Sequence, residues 1–267
     1  MHGLGNDFVI IDCRADGLMP NDRMRRAIAD RHRGVGCDQL ILLMPPQDKK
    51  ADVFMRIYNP DGSEAGACGN AARCVARILF EETGRMEGII HTMAGLLKVS
   101  AGMGGMISVD FGPPRLGWRD IPLAREADTL SVPVSADGLE NPCCVSMGNP
   151  HAVFFVPEAE AVPLDSIGPQ LERHSMFPRR CNIEVAHIID KERIRMRVWE
   201  RGAGITQACG SGACATLVAA VRRGLSARRA VIVLDGGELT VEWREKDGHI
   251  LMTGPATLAF RGKIEEI

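Results

Sequence analysis

The chain has 267 residues, 45% hydrophobic and 25% charged, with a formal net charge of −2, an ordinary globular composition with enough apolar material for a sizeable core. The balanced charge suggests no nucleic-acid partner, and no apolar run is long enough to cross a membrane. Nine scattered cysteines, an odd number, with nothing like a signal peptide after Met1, predict a reducing compartment, the cytoplasm.

The first half opens with a predicted strand at 8–12 and a turn at Ala15-Asp16-Gly17. Asn21 caps a helix predicted over 22–32, which Gly34 ends. Its basic residues Arg23, Arg25, Arg26, Arg31, His32 and Arg33 read as a solvated face opposite Met24, Ala27 and Ile28. Strands at 39–43 and 53–58 lead into a Gly-rich loop and a helix that begins at Cys68 and closes near Gly84. Segments 96–100 and 106–111 read as a hairpin around Gly102-Met103-Gly104-Gly105. That glycine cluster lacks both the Lys-Ser/Thr ending and the following helix of a phosphate loop.

Gly112-Pro113-Pro114 marks the expected boundary, because paired prolines interrupt helix and strand alike. The second half repeats the plan: a strand before Gly148, one at 152–156, a helix near 166–174, strands at 183–189 and 194–199, and a helix that begins at Cys209. Strands at 231–234, 239–243, 250–253 and 258–261 close the chain, with Lys246-Asp247-Gly248 as a hairpin signal. Strands outnumber helices and hairpins outnumber crossovers. The expectation is an α+β fold of two pseudo-symmetric domains, each a mainly antiparallel sheet wrapped around its cysteine-headed helix. Residues 1–112 plus about 256–267 form the half carrying Cys68, and 113–255 the half carrying Cys209.

Internal duplication supports this division. Cys68-Gly69-Asn70 and Cys209-Gly210-Ser211 each open a helix, and the offset that superimposes them also aligns Arg56-Ile57-Tyr58-Asn59 with Arg197-Val198-Trp199-Glu200. A slightly different offset pairs Gly5-Asn6-Asp7-Phe8 with Gly148-Asn149-Pro150-His151, and another pairs Cys37-Asp38 with Cys181-Asn182. A thiol at a helix N-terminus feels the positive end of the helix dipole, worth roughly 0.3 to 2 kcal/mol. That predicts a thiol lowered from roughly 8.5 toward 7 to 8. If the pseudo-twofold axis brings the two helix ends face to face, one thiolate and one thiol flank a cleft, the arrangement that inversion of a carbon centre requires. Backbone N–H groups after each cysteine suit a carboxylate and the charge developing on it. Cys68 and Cys74 lack the C-x-x-C spacing of a redox pair, and the other cysteines and histidines lack zinc-ligand spacing, so no metal is expected. No lysine lies in either cysteine loop to form a Schiff base. A non-enzymatic thiol switch is the alternative from another class.

The ordered set of motifs resembles the diaminopimelate epimerase family. It runs from His2-Gly3-Leu4-Gly5-Asn6-Asp7-Phe8 through Gly36-Cys37-Asp38-Gln39, Asn59-Pro60-Asp61-Gly62-Ser63-Glu64, Cys68-Gly69-Asn70 and Gly148-Asn149-Pro150-His151. It continues in Trp199-Glu200-Arg201-Gly202-Ala203-Gly204 and Ala208-Cys209-Gly210-Ser211-Gly212-Ala213. The resemblance implies cofactor-independent epimerisation of LL-diaminopimelate to the meso form, in lysine and cell-wall precursor biosynthesis, with Cys68 and Cys209 as the acid/base pair. It implies substrate binding by Asn6, Gln39, Asn59, Asn149, Asn182, Glu200 and Arg201, and backbone contacts from Gly69, Asn70, Gly210 and Ser211. His151 and Glu200 are implied to stand beside the thiols, and the chain to form a homodimer. Ala71 and Ile205 depart from the glycine and glutamate common in the family. Proline-type racemases share the two-cysteine plan but lack the full asparagine set.

Overall fold

The computed structural model describes residues 1–15 and 19–264; the expected turn at Ala15-Asp16-Gly17 lies partly outside them. The chain divides into two compact units, Met1–Asp110 with the segment that begins at Thr253, and Phe111–Met252.

The first unit contains β1 (His2–Gly3), β2 (Asn6–Asp12), α1 (Asp22–Ala29), β3 (Gln39–Met44), β4 (Val53–Tyr58), β5 (Glu64–Ala65), α2 (Gly69–Thr83), β6 (Glu87–Thr92), β7 (Gly95–Ala101) and β8 (Ile107–Asp110). Its strands lie in the order β1-β2-β3-β4-β6-β7-β8, with β5 beside β4. Among the described pairings of this unit, β2–β3 and β4–β6 run parallel. These are the two pairs joined through helices, because a parallel pair needs a crossover long enough to return the chain to the same end. Leu40, Ile41, Leu42 and Leu43 are all buried, as expected of a strand covered on both faces. Leu40 and Leu42 pack with Ile28 and Ala29 of α1. Asn21 caps α1 as predicted, its Oδ1 accepting from Met24 N at 3.0 Å. The helix is shorter than expected, since Asp30 leaves helical geometry (ψ 119°). Along α2, Ala71, Ala72, Cys74, Val75, Ala76 and Leu79 are buried against β1, β6, β7 and β8. Gly84 ends it in the left-handed region, φ 69°, where glycine avoids a Cβ clash.

The second unit contains β9 (Ser135–Ala136), β10 (Leu139–Glu140), β11 (Cys143–Ser146), β12 (Pro150–Phe155), α3 (Leu164–Glu172), β13 (Asn182–Asp190), β14 (Arg193–Glu200), β15 (Gly204–Ile205), α4 (Gly210–Arg222), β16 (Arg229–Leu234) and β17 (Gly237–Trp243), with β18 (Ile250–Gly254) crossing its C-terminal boundary. The order is β18-β17-β16-β14-β13-β12-β11, with β15 beside β14. Again two pairs are parallel, β12–β13 and β14–β16. α3 covers a core that includes Phe154, Leu164, Ile167, Leu171, Ile183 and Val185. α4 is buried nearly all round, packed against β11, β12, β13, β14, β16 and β17. Each unit is thus a mainly antiparallel sheet wrapped around a helix headed by cysteine, the α+β plan expected.

Three local expectations change. The strand β6 was not foreseen, residues 258–261 form none, and the duplication has a different register. Phe8 pairs with Gln39 and Leu40 with Tyr58 in the first sheet, whereas His151 pairs with Asn182 and Ile183 with Trp199 in the second. Asn182 therefore occupies the place of Gln39, and the Cys37-Asp38 to Cys181-Asn182 alignment is one residue out. Among the described residues, no helix is long and apolar enough to cross a membrane.

Candidate active site

In the first unit, Cys68 is the N-cap of α2 in extended geometry (φ −148°, ψ 114°), and Gly69 and Asn70 begin the helix. Ala72 N donates to the Cys68 carbonyl at 2.9 Å. Asn70 Nδ2 donates to Asn6 Oδ1 at 3.1 Å, and Asn6 Nδ2 donates to Asp38 Oδ2 at 2.9 Å. Behind Asn70, the fully buried Arg73 donates through Nη1 to Asn70 Oδ1 and through Nε to the Pro255 carbonyl, both at 3.0 Å. A Cβ on Gly3 would stand 2.8 Å from Arg73 Nη2, so glycine there lets the guanidinium lie against the backbone. A separate chain links Gln39 Nε2 to Asn59 Oδ1 and Asn59 Nδ2 to Ser63 Oγ, each at 3.0 Å.

Arg31 is not part of a solvated helix face. It lies beyond the end of α1, where the turn aims its guanidinium at Asp7 (2.7 and 2.9 Å) and Asp38 (2.6 Å). Partial burial alone would raise the Asp7 carboxyl, but hydrogen bonds from Arg31 and the Asp38 N–H, with the guanidinium charge, hold it below the usual carboxylate range.

In the second unit, Cys209 is the N-cap of α4, and Gly210 and Ser211 begin the helix. Gly212 N donates to Cys209 Sγ at 3.4 Å, and Ser211 Oγ lies 3.6 Å from the same sulfur. Asn149 Nδ2 donates to Ser211 Oγ at 3.3 Å. His151 contacts Asn149 Oδ1 through Nε2 at 3.0 Å and Glu184 Oε1 through Nδ1 at 2.6 Å. Glu200 accepts a hydrogen bond from Thr206, and its carboxylate acts electrostatically on the Cys209 thiol. Of the two supporting residues, Glu200 acts on Cys209 through its charge, and His151 reaches it through Asn149 and Ser211. Asn182 Nδ2 donates to the Pro150 carbonyl at 2.8 Å while its Oδ1 accepts from Arg201 N at 2.9 Å. Arg201 Nη1 donates to the Arg179 carbonyl at 3.3 Å.

Electrostatics correct one expectation. Burial, then the neighbouring Glu200 and Glu184 carboxylates, push the Cys209 thiol well above its ordinary range, while Ser211 and the Gly212 N–H oppose them. Desolvation and two like charges outweigh a helix dipole worth at most about 2 kcal/mol, so the predicted lowering toward 7 to 8 does not hold for Cys209. Burial likewise raises the Glu200 carboxyl, against the hydrogen bond from Thr206. Burial and the two carboxylates thus favour the neutral thiol of Cys209 over its thiolate. The leading N–H groups of both helices suit an anionic group.

Sequence reasoning did not single out Arg73, Glu172 or Glu184. Each carried a signal: a charge amid the helical run after Cys68, an acidic residue directly after Leu171 where the apolar side of a helix falls, and a lone carboxylate between Ile183 and Val185 in a buried strand. Glu172, 3% exposed, accepts from Trp199 Nε1 (2.7 Å) and Gly202 N (3.2 Å), and so holds both flanks of Glu200 and Arg201.

Comparison with known proteins places these features in a family. The diaminopimelate epimerase family model matches residues 1–117 and 143–259. A diaminopimelate epimerase of Rhodospirillum centenum is 61% identical over 266 residues, covering 100% of this chain and 91% of its own. One from Acidiphilium cryptum is 56% identical over 265 residues, covering 99% and 95%. Among solved structures, a predicted epimerase from Pseudomonas aeruginosa has a TM-score of 0.71 at 20% identity, covering 98% of this chain and 94% of its own. A hydroxyproline epimerase from Agrobacterium vitis with bound trans-4-hydroxy-L-proline has a TM-score of 0.66 at 18% identity, covering 95% and 87%. At these identities the structural likeness is one of fold.

Proposed function

Because the chain belongs to the diaminopimelate epimerase family, whose members are amino-acid epimerases, we propose that it converts LL-diaminopimelate to meso-diaminopimelate without a cofactor, using Cys68 and Cys209 as the proton-transfer pair. Such a reaction supplies lysine and cell-wall precursors. The observation that carries the reading is the repeated geometry of two cysteines, Cys209 at the N-cap of α4 and Cys68 at the N-cap of α2, each followed by glycine and a small polar residue that open the helix.

The α-proton of an amino acid is weakly acidic, and its removal places charge on the carboxylate. N–H groups at Gly69, Asn70, Gly210 and Ser211 are proposed to bind that carboxylate and stabilise the charge. In one direction of turnover Cys209 acts as acid and Cys68 as base, and in the other the roles are reversed. The Cys68 sulfur takes the α-proton, the C–H electron pair passes toward the carboxylate, and the Cys209 S–H bond delivers its proton to the opposite face. The two thiols have then exchanged roles, as reversal of the reaction requires. Asn6, Gln39, Asn59, Asn149, Asn182, Glu200 and Arg201 are proposed to hold the substrate, because neutral amides with one guanidinium and one carboxylate complement a distal amino-acid group.

Incubation with LL-diaminopimelate and, separately, with L-proline tests the reading, in buffer containing a chelator and no pyridoxal phosphate, with the stereoisomers followed over time. The expected result is meso-diaminopimelate and no D-proline. Racemisation of proline alone, or activity only after metal or pyridoxal phosphate is added, overturns it.

A further inference from the structure

A continuous hydrogen-bonded chain leads from the buried carboxyl of Glu184 to the thiol of Cys209. It passes through His151 Nδ1 at 2.6 Å, from Nε2 to Asn149 Oδ1 at 3.0 Å, from Asn149 Nδ2 to Ser211 Oγ at 3.3 Å, and then to Cys209 Sγ at 3.6 Å. Glu184 and His151 are both fully buried, with side-chain exposures of 0%. Glu184 Oε2 has no hydrogen-bond partner. A Cβ on Gly212 would stand 2.9 Å from Glu184 Oε1 and 3.2 Å from Cys209 Sγ. The carboxyl and the thiol therefore both lie close against the face of Gly212 where a side chain would stand, so glycine leaves room for the two groups together.

Resting on the two-cysteine reading above, we propose that Glu184 is a positioning residue that fixes, through His151, the orientation of the Asn149 amide and so the hydroxyl and thiol beyond it. Proton counting supports this. Asn149 Oδ1 can only accept, so His151 Nε2 carries a proton. The contact between Nδ1 and Glu184 holds one further proton, and the pair is electrically neutral as a whole, which is how two buried ionisable groups avoid an uncompensated charge. With Nε2 fixed as donor, Asn149 must turn Oδ1 toward the ring and Nδ2 toward Ser211. Removing Glu184 leaves Nδ1 unpartnered in a dry site. With the ring no longer anchored, the Nε2–H donation to Asn149 Oδ1 loses its fixed geometry and the chain to Cys209 is broken. The other titratable groups around the pair are Glu200 on β14, Cys209 at the start of α4, Cys144 on β11 and Cys181 before β13. The last two are buried thiols raised by desolvation.

Full-length wild type, Glu184→Leu and Glu184→Gln are compared by His ring nitrogen NMR and by kcat in both directions. In the wild type, His151 Nε2 is expected to carry a proton hydrogen-bonded to Asn149 Oδ1. Glu184→Leu should lose that signature and lower kcat roughly 10- to 100-fold, the effect of stranding one buried polar partner. Glu184→Gln can still donate to Nδ1, keeps Nε2 protonated, and should recover kcat to within about threefold of wild type. A bare Nε2 in the wild type overturns the proposal, as does a Glu184→Leu enzyme within about threefold of wild-type kcat. If Glu184→Leu does not fold, the wild-type ring and Glu184→Gln decide, and a glutamine variant as impaired as a Cys209→Ala control contradicts the assignment. The ring measurement needs no turnover, so it can fail independently of the two-cysteine mechanism. Full epimerase activity in Cys209→Ala would instead sink the mechanism itself.

Discussion

Cys209 is 5% exposed and surrounded by acceptors and carboxylates, whereas Cys68 is half-buried. Thiolate, not thiol, reacts with alkylating agents. Because burial and the charges on Glu200 and Glu184 raise the Cys209 thiol, its deprotonated fraction grows only as pH climbs beyond the ordinary thiol range. Iodoacetamide at neutral pH should therefore label Cys68 well before Cys209, and Cys209 labelling should rise with pH above about 9. Peptide mapping by mass spectrometry over a pH series reads both. Equal labelling of the two at neutral pH would show that the Cys209 proton is not held as described.

At the scale of elements, the loop carrying Glu200 and Arg201 depends on how closely α3 approaches β14. A Cβ at Gly168 would stand 2.6 Å from two ring carbons of Trp199, so helix and indole touch with no space for a methyl group. Trp199 is also tethered through Nε1 to Glu172 at the end of α3. Gly168→Ala is expected to destabilise the protein by about 1 to 3 kcal/mol, the usual cost of overpacking, despite the higher helix propensity of alanine. Thermal unfolding measures it, and an unchanged or higher Tm would contradict this packing. The helix starts at Cys68 and Cys209 were legible because glycine and a small polar residue precede long helix-forming runs. The strand β6 was not, because Gly88 and the charged Glu87 obscure its alternation, and its place comes from pairing with β4 and β7. Residues 258–261 have strand-like composition but no ladder, and the sheet contact nearby is the single bridge between Thr257 and His2. Arg31 and Glu184 escaped for a related reason: their partners Asp7, Asp38 and His151 are distant in sequence, and nothing local marks the pairing.

Across the whole molecule, two copies of one plan have diverged where chemistry differs. By sheet register, the places of His151, Glu184 and Trp199 in the second unit correspond to Phe8, Ile41 and Tyr58 in the first, and Glu200 follows Trp199 as Asn59 follows Tyr58. The second copy thus has a histidine and two carboxyls where the first has two apolar side chains and an amide. The two helix-capping thiols are set in unequal surroundings, Cys209 buried beside two carboxylates and Cys68 half-buried. If each thiol serves one face of the α-carbon, solvent isotope distinguishes the two faces. In deuterated water, a two-thiol enzyme retains the abstracted proton on one sulfur while the other, equilibrated with solvent, deuterates the opposite face. At the earliest turnovers the product should carry deuterium at the inverted centre, while recovered LL-diaminopimelate remains largely undeuterated, and the same should hold from the meso isomer. Deuterium entering unreacted substrate as fast as product forms would mean that one base serves both faces, and would contradict the roles given to Cys68 and Cys209.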